Sequence, residues 1–138
     1  MVRAVVMIAV AGGLCTLASA APDRATRARS DLAALEQKLH GSWDGAGPCA
    51  GGLTFRADGT YEWTHQGPAG TNSAGTWKVR WDALPPTLVL TCRESDDPDY
   101  VGKVTEFKLV QLENEALTLA HANGREPPPQ TRFSRAKK

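Results

Sequence analysis

From Gly75 to Trp81 the chain alternates without a break. Gly75, Trp77, Val79 and Trp81 fall on one side of an extended strand, and Thr76, Lys78 and Arg80 on the other. A strand of this kind buries one face and wets the other. The stretch LTFRADGTYEW repeats the theme as a hairpin, with Asp58-Gly59 turning the chain between two runs rich in aromatic and β-branched residues. A three-residue loop of Ala57, Asp58 and left-handed Gly59 sets Phe55 opposite Tyr61 and Leu53 opposite Trp63, which gathers the apolar side chains on one face. A two-residue loop would scatter them.

Further along, Leu88, Leu90 and Cys92 share a face in the run Thr87 to Cys92, and Pro85-Pro86 can only open that strand or precede it. In Thr105 to Leu112 the parity of Phe107 and Leu109 disagrees with that of Val110 and Leu112, so a bulge is expected there. Ala116 to His121 and the short run QTRFSR follow, the second after Asn123-Gly124 and three prolines. Counting from GSWDG, about eight short strands recur at roughly 8 to 12 residues with no helix between them. The fold class this predicts is all-β, an antiparallel up-and-down barrel, favoured over a sandwich because sequential hairpins close on themselves and leave no edge. One helical segment precedes it. Leu32, Leu35 and Leu39 lie at helical spacing, Ser30 can cap the start with Asp31 in the first turn, and Gly41 supplies a left-handed stop.

The segments Leu39-His40-Gly41-Ser42-Trp43, LTFRADGTYEW, GTWKV, Leu88 to Leu90 and EALTL, with the helix before them, together resemble the small bacterial lipocalin-like domain family from about Leu32 to Arg135. The Gly41-Ser42-Trp43 triplet matches the glycine-any-tryptophan signature of its first strand. The resemblance implies a lipocalin-like barrel whose floor Trp43 closes, with a late arginine packed over it. Arg132 or Arg135 takes that role. The family also implies ligand transport, with a small apolar molecule inside the barrel facing Phe55, Tyr61, Trp63, His65, Trp77, Val79, Leu88 and Leu90. A barrel this small can instead be filled by those same side chains. The threonine, aspartate and tyrosine motif of full lipocalins is not found.

Composition changes the compartment more than the fold. The first 20 residues carry one positive charge near the start, an apolar run broken by Gly12 and Gly13, and Ala18-Ser19-Ala20 at the end. That is the pattern of a secretory signal peptide cut before Ala21, too short and too interrupted for a spanning helix. Export to the periplasm or the medium follows. Loss of Arg3 leaves fifteen basic against fifteen acidic side chains, so nothing electrostatic argues for nucleic acid or an anionic membrane as a partner. The remaining 118 or so residues make one domain, 30–135, read as a monomer between a flexible tail over 21–29 and a basic tail over 136–138.

Two cysteines remain after cleavage, Cys49 and Cys92. In an oxidising compartment they most simply form one disulfide, worth roughly 4 kcal/mol for a loop of about 43 residues. Neither has a second ligand two to four residues away, so a zinc site is not expected. The stretch GTNSAGTWKV nearly spells a phosphate-cradling loop, but Thr76 stands where lysine is required and a strand follows instead of a helix. Nucleotide binding is excluded on that ground, and Gly67 to Ala74 reads as a polar hairpin loop.

Candidate catalytic chemistry is sparse. His40, His65 and His121 are scattered, no serine sits in a nucleophile turn, and the chain is read as no enzyme, with neither cofactor nor metal. Glu94, Asp96, Asp97 and Asp99 lack the glycine and distal glutamate of a calcium loop and read as solvated. His65 shares the parity of Tyr61 and Trp63, which would bring it to the mouth of a cup as a hydrogen-bonding group. The function expected is therefore a non-enzymatic exported binder of a small apolar ligand. The rival is a protease inhibitor acting through the amino-terminal arm APDRATRARS, on the pattern of small exported barrels that insert such an arm into a protease cleft. A structural envelope module without ligand is the third reading.

Overall fold

A computed structural model describes residues 23–46, 51–65, 70–122 and 127–137. One helix, α1 (Arg24–Leu39), leads into eight strands: β1 (Gly41–Gly45), β2 (Gly52–Phe55), β3 (Thr60–Thr64), β4 (Ser73–Arg80), β5 (Thr87–Ser95), β6 (Val104–Leu112), β7 (Ala116–His121) and β8 (Gln130–Arg135). Each strand pairs antiparallel with the next, and β8 returns to β1, so the sheet is a closed up-and-down barrel. No strand edge is left exposed.

The hairpin register expected at Asp58-Gly59 holds. Phe55 lies opposite Tyr61 and Leu53 opposite Trp63. Gly59 takes φ +83°, which a side chain would resist, and its N–H donates to the Arg56 carbonyl at 3.1 Å. Asp58 Oδ1 accepts from the Thr60 hydroxyl at 2.6 Å and from its N–H at 2.9 Å, and these bonds hold the Asp58 carboxyl below its ordinary range. The bulge in β6 is also where the parity conflict placed it, between Leu109 and Gln111. Val110 is pushed outward, and Phe107, Leu109 and Leu112 turn inward against the core.

The helix differs from expectation at its start. It begins at Arg24, capped by Asp23, whose side chain accepts the Thr26 N–H at 2.7 Å. Residues 24–29, expected to belong to a flexible tail, are helical, and Ser30 is an interior residue. A carboxylate at the cap satisfies orphan N–H groups as well as serine does and suits the positive end of the helix dipole. Only the last turns touch the barrel. Leu39 is fully buried and Leu35 half-buried, whereas residues 24–34 are exposed on every side.

The core runs the length of the barrel. Trp43, Leu53, Leu88 and Leu117 are completely buried, and Phe55, Tyr61, Leu90, Leu119 and Phe133 nearly so. Outward positions alternate with them as charged or hydroxyl residues, among which Arg56 pairs with Glu62 at 2.7 Å and Arg80 with Glu106 at 2.9 Å. Both pairs are half-exposed and add little to stability. Cys92 is buried and its thiol is free, donating to the Glu94 carbonyl at 3.3 Å. Its expected partner Cys49 lies outside the described residues, as do residues 1–22 with the leader.

Tyr61 gives a titration that checks this packing. Burial pushes its phenol above the ordinary 10.0, outweighing a bond with the Ser73 hydroxyl that acts the other way. The unfolded chain therefore loses this proton first as pH rises. The stabilisation is complete below about pH 10 and is lost as pH climbs through the higher folded value. Tyrosinate absorbance should show one ionisation delayed beyond 10, and Tyr61→Phe should abolish that delayed step.

Candidate ligand site at the barrel mouth

The two ends of the barrel are built differently. At one end, the floor, α1 meets β1 and the short β2–β3, β4–β5 and β6–β7 turns; at the other, the mouth, β1, β3, β5 and β7 end.

The floor is closed by Trp43. Its indole Nε1–H donates to the Leu39 carbonyl at 2.9 Å, tying β1 to the last turn of α1. The Arg135 guanidinium stacks on the indole with Cζ 3.8 Å from the ring centroid. It also donates to three carbonyls, Asn114 at 2.9 Å, His40 at 2.7 Å and Lys38 at 2.8 Å. The end of α1 and the β6–β7 turn are clasped by one side chain. Of the two arginines considered, Arg135 is the one on Trp43, and Arg132 points to solvent on the opposite face of β8. Shared parity with inward Phe133 is the signal that singles out Arg135. A shallow hollow beside this clasp, lined by His40, Gly41, Ser42, Arg135, Ala136 and Lys137, is open to solvent, and the guanidinium's hydrogen-bonding capacity there is largely spent on the protein.

Several residues expected to face a ligand are committed to protein. Trp77 packs edge-on to Phe55 at 5.3 Å and to His40 at 5.7 Å, and its Nε1–H donates to the Arg56 carbonyl at 3.1 Å. It belongs to the floor half. Phe55, Tyr61, Leu88 and Leu90 are likewise buried in the packed interior, and half-buried Val79 packs against it. Side-chain parity predicts which residues turn inward but not at which height along the axis they sit.

Trp63 and His65 are different. Both are only partly buried, and they stack nearly parallel at the mouth, with centroids 5.1 Å apart and 12° between planes. Two residues outside the expected set complete the group: Phe107, 5.6 Å from the Trp63 ring, and Phe133, 6.2 Å from it. Exposed His121 rests on Phe107 at 4.8 Å. The mouth is thus an aromatic cluster with an imidazole on either side.

No family model, curated protein or solved structure matches this chain. The site is therefore judged on its own chemistry. Among the described residues two buried polar atoms have no hydrogen-bond partner, His65 Nδ1 and Trp81 Nε1. Trp81 follows β4 at the floor end, where the indole is packed against the core. His65 Nδ1 is instead buried at the edge of the ring that stacks on half-buried Trp63. Apolar rings with one convergent polar atom are the ordinary makings of a small-molecule site.

Proposed function

We propose that the chain is an exported, non-enzymatic binder of a small apolar molecule, with the lipocalin-like barrel as scaffold and its mouth as the binding site. One observation carries the reading. Trp63 is a large aromatic side chain turned into the barrel yet left half-buried, ringed by Phe107, Phe133 and His65. An indole in that position gains by further burial, at about 25 cal/mol for each Å² of apolar surface covered. The export half of the reading rests on the leader pattern in residues 1–20.

The inhibitor reading has less support. A protease cleft commonly takes an extended segment and adds it as a strand, whereas seven of the ten residues of the expected arm are already wound into α1. Cutting before Ala21 would leave only three residues ahead of the helix.

Titrating the mature chain with apolar probes, a medium-chain fatty acid and a fluorescent naphthalene among them, tests the proposal. Saturable quenching of tryptophan emission is expected, and Trp63→Leu should remove most of it while Trp43, Trp77 and Trp81 still emit. A panel that leaves the emission untouched would sink the binder. Quenching that survives in Trp63→Leu would move the site away from the mouth.

A further inference from the structure

His65 is held in place more firmly than a loop-edge histidine needs to be. Its backbone N–H donates to Asn72 Oδ1 at 2.9 Å. Gly51 and Gly70 press against it: a Cβ on Gly51 would stand 2.7 Å from His65 Cα and overlap the Thr64 carbonyl, and one on Gly70 would overlap His65 Cβ. Neither position leaves room for a side chain larger than hydrogen. The backbone at His65 is fixed by a hydrogen bond and two close approaches, and the imidazole by its stacking on Trp63. All this orients a ring whose Nδ1 has no partner among the described residues.

A buried, unpaired ring nitrogen costs about 1–3 kcal/mol. A molecule that satisfies it recovers that cost, and one that only fills the space does not. The nitrogen is an acceptor when Nε2 carries the proton and a donor when Nδ1 does. A carbonyl or an ether can meet only the second state, and an ammonium only the first. A hydroxyl both donates and accepts, so it pairs with either tautomer. Among the neighbouring rings Trp63 is the half-buried one, with Phe107 and Phe133 buried behind it, and an indole face favours a flat unsaturated body.

We infer that the mouth selects aromatic alcohols, compounds of the phenol or naphthol class, with His65 as the residue that discriminates the hydroxyl. The inference rests on the reading of the barrel as a small-molecule binder and adds the class of molecule to it. His65 makes no bond and breaks none; it sets specificity through one hydrogen bond.

Two probes of nearly equal size separate shape from hydrogen bonding: 1-naphthol and 1-methylnaphthalene. For the intact mature chain, 1-naphthol is expected to bind about tenfold more tightly, the usual return on one well-placed hydrogen bond. His65→Phe keeps a stacked ring and removes the nitrogen, and it should bind both probes equally, at the affinity of 1-methylnaphthalene. Equal binding by the unaltered chain, or a preference that persists in His65→Phe, overturns the inference while leaving the binder intact. Failure of both probes on the unaltered chain removes the binder and the inference with it. A measurement without any variant guards against a misfolded one: the ¹⁵N shift of His65 Nδ1 should move on adding 1-naphthol and stay put with 1-methylnaphthalene. A shift unmoved by bound 1-naphthol counts against the inference.

Discussion

Trp43→Ala should lower the unfolding free energy by about 3–5 kcal/mol, the cost of emptying a fully buried indole site. The loss is expected at the high end because three contributions vanish together. The cavity opens beneath Leu39, the bond from the indole to the Leu39 carbonyl goes, and the Arg135 guanidinium loses the ring it stacks on. Arg135→Met, which keeps most of the aliphatic stem but strands the Lys38, His40 and Asn114 carbonyls, should cost about 2–3 kcal/mol by the same logic. The double variant should fall short of the sum, because each single change already spoils the stacking the other depends on. Urea unfolding followed by circular dichroism measures all three. A Trp43→Ala chain within 1 kcal/mol of the parent would mean that the floor is not closed as described.

Gly75→Ala is expected to be nearly as damaging although it adds a single methyl group. At the irregularity where Ala74 pairs with Glu94 and Gly75 with Cys92, β4 approaches β5 closely. A Cβ at Gly75 would overlap the Thr91 carbonyl and stand 2.9 Å from its carbon and 3.0 Å from the Arg93 nitrogen. These are backbone atoms, which cannot swing aside as a side chain could. The strands must part, at a cost of about 3 kcal/mol by the measure of other overpacked sites. Thr76→Ala, one residue away on the exposed face of the same strand, should change stability by less than about 0.5 kcal/mol. Equal midpoints for the two variants would contradict the close approach.

Local rules account for much of the architecture. Asp58-Gly59 set the β2–β3 register because only one loop length places Leu53, Phe55, Tyr61 and Trp63 on one face. The conflict between Leu109 and Leu112 announced a bulge because a regular strand cannot turn residues three apart to the same side. The start of α1 was less legible. Ser30 and Asp23 are both good caps, and three arginines between them argue against a helix amino terminus on dipole grounds, so pattern alone favoured the later start.

The candidate site was legible only in part. Trp63 and His65 belong to one strand and the residue after it, and their shared parity is visible in the chain. Phe107 and Phe133 come from β6 and β8, more than 40 residues away, and meet Trp63 only because the sheet closes. Trp77 shares the alternation of its strand and is expected with the ligand-facing interior, but the stagger of strands in a barrel sets its height, and it belongs to the floor. The clamp on His65 left no trace in periodicity at all, since glycines at 51 and 70 read as ordinary loop residues until the backbone approaches are known.

The Arg135 clasp also bears on the order in which the molecule can be assembled. It joins residue 135 to residues 38 and 40, across 97 and 95 positions, and the Ala136 N–H adds a bond to the Ser42 carbonyl. Early strands can pair as neighbours as soon as they exist, but β1 has no β8 to meet and α1 no arginine to hold it until residue 135 is present. Such distant contacts are slow to form because the chain between them must first be gathered in. The barrel is a ring fastened where its first strand meets its eighth, and its final fastening has to wait for β8.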